Sequence, residues 1–305
     1  MANAALSEPS TNSADAESAS SWLSWTRTRP GVSARIEING AAIHYLSWSL
    51  EHRERPALLF IHGFRAHAHW WDFIAPYFSD DYRVLAIDLS GMGDSAHRPC
   101  YSPAGFAADI NSLVEALDLG PVTAVGHSYG GARLLRACAD RPDLYRHLIV
   151  VDSFVRFRDE AAPVLPPRPL GNRVHADFDE ACARFRLMPE QPGALPSLVR
   201  QIAGHALLPV EGGWCWKFDA SMVPAGEAEI DAEYLLPRVT PLVDIVYGEH
   251  SKVVSRESAA RVVAHLPRVR GPLMIPGSHH HIMLDQPLAL VAMLRSLLAP
   301  ERHPQ

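Results

Sequence analysis

Paired cysteines, surplus positive charge and long apolar runs are all missing from this 305-residue chain, and each absence excludes a class. Cys100, Cys138, Cys182 and Cys215 lie far apart with no Cys-x-x-Cys spacing, which removes the usual zinc and dithiol motifs and suits free thiols in a reducing compartment. Lys and Arg number 28 against 34 Asp and Glu, a formal charge of −6. Binding to nucleic acid through counterion release requires a basic surplus, so no nucleic-acid partner is expected. A membrane-spanning helix needs about 20 consecutive apolar residues, and every run here is much shorter, so no membrane partner is expected either. The first thirty residues are rich in Ala and Ser, contain Glu8, Asp15 and Glu17, and lack the positive start and apolar middle of an export signal. Residues 1–33 therefore read as a disordered or loosely packed tail, with Trp22 and Trp25 as candidate anchors, and the expected location is cytoplasmic.

What is present is a chain 48% hydrophobic and 20% charged, the balance of a globular protein, with 16 histidines to explain. Ile36 to Ile38 and Ile43 to Ser47 flank Asn39-Gly40, a hairpin signature. The short apolar runs Ala57 to Ile61, Val84 to Ile87, Val122 to Val125 and Leu148 to Val151 suit strands buried on both faces. Helical patterns around Trp70 to Phe78, Phe106 to Leu117 and Gly131 to Ala139 separate them. This alternation predicts an α/β fold with a mostly parallel central sheet flanked by helices. After Asp152 the rhythm breaks into a Pro-rich stretch, then resumes with Val243 to Tyr247, a helix from Arg256 to His265, a strand at Pro272 to Ile275 and a helix from Leu288 to Leu298. Residues 34–153 and 239–305 are thus expected to form the core, and 154–238 an inserted helical cap over the carboxyl edge of the sheet.

Gly126-His127-Ser128-Tyr129-Gly130 stands directly between an apolar run and a helical pattern. In that context a Gly-x-Ser-x-Gly turn holds its serine in a strained conformation that lifts the hydroxyl clear of the sheet. A serine hydroxyl needs a base, and the segment Pro276 to Pro287, with His279, His280 and His281, follows the last strand and precedes the last helix. Three adjacent histidines invite a metal reading. Neighbouring side chains on an extended segment point different ways, however, and no Cys or carboxylate spacing accompanies them, so neither a metal nor a cofactor is expected.

On the elbow at Ser128, His62-Gly63-Phe64, Asp88-Leu89-Ser90-Gly91-Met92-Gly93-Asp94-Ser95 and the histidine segment, the chain resembles an α/β-hydrolase of the capped, single-domain kind from about Arg35 to its end. The family's Pro-Gly-x-Gly-His pattern implies His280 as the base, with His279 and His281 as alternatives, and an oxyanion hole from the backbone N–H groups of Phe64 and Tyr129. Relatives usually carry the acid in a Gly-x-x-Asp segment, but here Gly248-Glu249-His250-Ser251 puts serine at that place. Asp152, at the end of the strand after the elbow, becomes the candidate acid and Glu249 the alternative, while Asp244 lies at the wrong edge of the sheet. Asp88, Asp94 and His62 read as structural, and Arg65, His67, His69, Trp70 and Trp71 as pocket-lining or core residues. Gly212 to Asp219 is aromatic-rich, with Trp214 and Trp216 placed either to wall an apolar pocket or to staple the cap to the sheet.

A serine at the elbow implies an acyl-enzyme, whereas dehalogenases and epoxide hydrolases of this fold attack with an aspartate. The expected reaction is hydrolysis of a small to medium, mostly apolar carboxylic ester. Carbon–carbon hydrolysis or acyl transfer with the same residues, and ligand binding without turnover, stay as alternatives. The expected partner is a small-molecule ester, and homo-oligomerisation is left open.

Overall fold

A computed structural model describes residues 21–160, 173–222 and 232–299. Residues 1–20 of the expected tail, and 161–172 and 223–231 of the expected cap, lie outside the described residues.

The chain opens with helix α1 (residues 21–27) and a hairpin of β1 (Val32–Ile38) and β2 (Ala41–Trp48). Asn39 and Gly40 both have positive φ, 50° and 76°, as a two-residue turn matched to strand twist requires. The expectation of a loose tail to residue 33 is corrected by α1. Leu23 and Thr26 are buried, and the Trp25 ring packs 4.8 Å from that of Tyr77. The physical reason is the apolar stripe that Trp22, Leu23 and Trp25 offer to the core.

Next come β3 (Ala57–Ile61), β4 (Arg83–Ile87), α2 (Pro103–Ala116), β5 (Val122–His127), α3 (Tyr129–Asp140) and β6 (Tyr145–Val151). Between β3 and β4 the expected helix over Trp70 to Phe78 is instead two 3₁₀ turns, Ala68–Trp71 and Ala75–Phe78. Pro76 accounts for the break, because it has no N–H to donate to a preceding turn and so stands at the start of a new one.

The chain leaves the sheet after β6 and forms α4 (Phe178–Ala183), α5 (Pro196–His205), the antiparallel pair β7 (Leu207–Val210) and β8 (Gly213–Trp216), and α6 (Ala232–Leu235). The insertion, expected to be helical, therefore carries a small sheet as well. It returns through β9 (Leu242–Gly248), α7 (Arg256–His265), β10 (Val269–Ile275), α8 (Ile282–Asp285) and α9 (Pro287–Leu298).

The eight-stranded sheet runs β1-β2-β4-β3-β5-β6-β9-β10, antiparallel at the β1/β2 and β2/β4 pairs and parallel from β4 onward. All of β3 and β4 is buried, because helices cover both faces of the sheet. Leu59, Ile61 and Leu148 point into one core with Ile110, Leu134 and Val262, while Leu58, Phe60 and Ile149 point into the other with Trp71, Leu290 and Leu294. From β3 the chain moves to β4 on one side and then crosses to β5 on the other. That reversal opens a crevice at the carboxyl ends of β3 and β5, the position where open α/β sheets hold ligands.

Candidate active site

Ser128 lies at that crevice, between β5 and α3, with φ 51° and ψ −121°. Such a conformation costs a non-glycine residue about 1–3 kcal/mol and persists only where the surroundings enforce it. The enforcement is visible in the glycines on either side. A Cβ on Gly126 would run into the backbone of Gly131, and one on Gly130 would land on the His62 carbonyl. The strand, the helix and the loop after β3 are therefore packed backbone to backbone, and the serine takes the strained turn between them. Its side chain is half-buried.

Asp152 ends β6, the neighbour of β5, and is fully buried with φ 46°. Its Oδ1 accepts from Nδ1–H of His280 at 2.7 Å and from the Ser251 hydroxyl at 2.6 Å, and Oδ2 accepts the Gly248 N–H at 2.7 Å. Ser251, at the place where the resemblance led one to expect an acid, thus donates a hydrogen bond to Asp152. Ser251 Oγ in turn accepts the N–H groups of Val253 and Val254, both at 3.1 Å, which holds it in place. With its proton on Nδ1, His280 keeps a lone pair on Nε2, as a base requires.

The other candidates go elsewhere. Glu249 Oε2 accepts the Gly277 N–H at 2.8 Å, on an exposed loop. His279 bonds through Nδ1 to Asp285 at 2.9 Å, and that carboxylate also accepts the His279 N–H. His281 has no hydrogen bond of normal geometry at either ring nitrogen. Asp244 binds His147 and Arg270 near the start of β9, at the opposite edge. Among the described residues, Asp152 and His280 are thus the pair brought into contact.

Phe64 and Tyr129 are neighbours, with ring centroids 5.2 Å apart. A Cβ built on Gly63 would lie 3.5 Å from Cβ of Ser128, so the turn after β3 passes directly beside the serine. Behind it sits a buried scaffold. His62 donates from Nδ1 to the Gly63 carbonyl and accepts the Leu89 N–H on Nε2. Burial lowers the pKa of His62, which suits a neutral ring. Asp88 receives the N–H groups of Ala68 and Asp94 and Nδ1–H of His44. Burial alone would raise the Asp88 carboxyl, but the hydrogen bond from His44 and the nearby His62 hold it well below the usual range.

His127 was not foreseen from sequence. Its Nε2–H donates to the His280 carbonyl at 2.9 Å, tying the elbow to the base loop, and burial pushes its pKa well down. Its place inside the Gly-x-Ser-x-Gly turn is a sequence signal, but its partner lies 153 residues away. Gln191 of the insertion brackets His281, accepting its N–H at 2.8 Å. Trp214 and Trp216, expected to wall a pocket or staple the insertion, have ring contacts among the described residues with Phe178, Phe185 and His175 of the same insertion. The stapling falls to the next residues. Lys217 reaches Asp94 at 2.6 Å, Asp219 accepts from the Tyr101 hydroxyl at 2.7 Å, and the Arg65 guanidinium lies 4.2 Å from the Phe218 ring centroid.

A mostly parallel sheet carrying, along its carboxyl edge, a serine on a strained strand-to-helix turn and a buried Asp–His pair is the framework of an α/β hydrolase. The family profile of the alpha/beta hydrolase fold matches residues 56–187. Esterase Rv0045c of Mycobacterium tuberculosis is 27% identical over 271 residues, covering 86% of this chain and 88% of the relative. The 2-(acetamidomethylene)succinate hydrolase of Mesorhizobium japonicum is 29% identical over 259 residues, covering 82% and 89%. Among solved structures, the thioesterase domain from the curacin biosynthetic pathway superposes with a TM-score of 0.69 at 24% identity, covering 87% of this chain and 99% of that domain. The chain has the α/β-hydrolase fold and is similar in sequence to hydrolases that share it.

Proposed function

We propose that the protein is a serine hydrolase that cleaves a small to medium, mostly apolar carboxylic ester through an acyl-enzyme. The observation that carries this reading is the 2.7 Å hydrogen bond from His280 Nδ1–H to the buried Asp152. A carboxylate in that position orients the imidazole and stabilises the imidazolium that forms when Nε2 takes a proton.

Ser128 gives its hydroxyl proton to Nε2 of His280 as Oγ attacks the ester carbonyl. The oxyanion that develops is received by the N–H groups of Phe64 and Tyr129, each such donor being worth about 10²–10³ in kcat. Collapse of the tetrahedral intermediate breaks the carbon–oxygen bond, and His280 hands its proton to the departing alcohol. Water then enters, His280 removes its proton, and the acyl group leaves Ser128 as the free acid. Asp152 stays ionised throughout, held by Ser251 and the Gly248 N–H. Residues 154–238 act as a cap over this edge and set which acyl and alcohol groups fit.

The relatives named esterase and hydrolase support this class of reaction. The test is turnover of p-nitrophenyl acetate and butyrate by the wild-type protein and by Ser128→Ala. Turnover by the wild type that disappears in Ser128→Ala is expected, and equal rates in the two proteins would remove the enzyme reading.

A further inference from the structure

Three imidazoles from two distant segments meet beside the elbow: His127, His280 and His281. One ring nitrogen of each lies within 4.8 Å of the other two, and the residues are 2%, 3% and 6% exposed. Their ring centroids are separated by 4.9, 5.8 and 4.7 Å. Hydrogen bonds determine what each ring has left to offer. His280 commits Nδ1–H to Asp152 and keeps a lone pair on Nε2. His127 faces the His280 carbonyl with Nε2, and a carbonyl only accepts, so its lone pair is on Nδ1. His281 has no hydrogen bond of normal geometry at either ring nitrogen. The backbone of Met188 and Pro189 lies within reach of the ring, and the Trp70 ring lies 5.3 Å away.

We propose that His127, His280 and His281 form a binding site for a borderline transition-metal ion, Zn²⁺ above all, and that the bound ion switches the hydrolase off. Imidazole donors without a carboxylate or water-rich cage select such ions over Mg²⁺ and Ca²⁺. Asp152 behind His280 completes a carboxylate–histidine–metal arrangement, which orients the ligand and raises its basicity. Tetrahedral zinc at about 2.0–2.1 Å from nitrogen sets neighbouring ligands roughly 3.3 Å apart, so ring rotations of about an ångström close the cluster. The run of three histidines is not itself the site, since His279 turns away to Asp285. The third ligand comes from the elbow, which is why the sequence pattern carries no metal signature. The switching half of the proposal rests on the assignment of His280 as the base: a metal on Nε2 takes the lone pair that would receive the Ser128 proton.

Isothermal titration of ZnCl₂ into Ser128→Ala protein reads binding without any turnover, and Zn²⁺ inhibition of p-nitrophenyl butyrate hydrolysis reads the switch. The expected result is one tight Zn²⁺ that is weakened about tenfold or more when His281→Phe or His127→Asn is added, with MgCl₂ giving no binding. Zn²⁺ should inhibit the wild type, EDTA should restore it, and the half-inhibitory concentration should rise by a similar factor in His281→Phe, measured against that variant's own metal-free rate. Unchanged Zn²⁺ affinity in both variants, confirmed folded by their melting curves, would overturn the site. Site-dependent binding with no loss of hydrolysis would overturn the switch. Binding by a protein with no esterase activity would uphold the site and reject the hydrolase reading instead.

Discussion

Asp152 is held at both carboxylate oxygens, and its three donors are Gly248 at the end of β9, Ser251 on the loop after it and His280 on the loop after β10. That arrangement makes unequal predictions for the two candidate acids. Asp152→Asn should lower kcat by about 10³–10⁴ with little change in KM, because the amide favours the wrong imidazole tautomer. Glu249→Gln, which alters an exposed contact to Gly277, should leave kcat within a factor of about 3. Steady-state kinetics on p-nitrophenyl butyrate decides between them. Ser251→Ala removes one charge-assisted hydrogen bond and should cost on the order of tenfold in kcat. The contact between Asp152 and His280 was legible as residue types in the right segments. The partner of Ser251 was not, because a hydrogen bond spanning 99 residues leaves no local pattern. The same holds for His127, whose role depends on a carbonyl supplied by a segment near the other end of the chain.

The parallel strands place these side chains in order. β3, β5, β6 and β9 are successive neighbours, and their carboxyl ends carry the Gly63 turn, Ser128, Asp152 and the Gly248 to Ser251 loop. Because the ends of β6 and β9 are adjacent, an acid at the end of β9 is predicted to reach His280 as Asp152 does from β6. In Asp152→Asn, adding Ser251→Asp should recover part of the lost kcat, about tenfold or more of the 10³–10⁴. No recovery would show that the loop after β9 holds its side chain too far from His280. The core strands were readable because burial on both faces leaves unbroken apolar runs, as at Ala57–Ile61. The 3₁₀ turns around Trp70 and the β7/β8 pair were not. In the first a helical spacing of aromatics is overridden by Pro76, and in the second the strands are only four residues each, too short for a period to emerge.

Across the whole molecule, the ties between the insertion and the sheet domain among the described residues include Lys217 and Asp219 with the loop after β4, Gln191 with the loop of His280, and α5 with the turn after β3. At the last of these, His67 donates to the Ile202 carbonyl, and the His69 ring stacks on that of His205 at 3.6 Å. Burial lowers the pKa of His67 well below its ordinary value, and burial together with the neighbouring His69 lowers that of His205 to about 4. Both groups are neutral in the folded protein at pH values where the unfolded chain, with histidine near 6.5, already binds protons. Their contribution is therefore complete above pH about 6.5 and is lost as pH falls toward the folded pKa values, by up to about 1.4 kcal/mol per pH unit for the fully buried His67. Melting temperature should drop from pH 7 to pH 5, and the drop should be shallower in His67→Gln. An equal slope in the two proteins would place the acid sensitivity elsewhere.

Covalent labelling by a fluorophosphonate, followed by peptide mass mapping, tests the central claim most directly, since it reports an activated serine whatever the natural ester is. The expected result is a single adduct on Ser128, formed rapidly in the wild type, slowly in Asp152→Asn and not at all in Ser128→Ala. An unlabelled wild-type protein, or an adduct on any other residue, would contradict it.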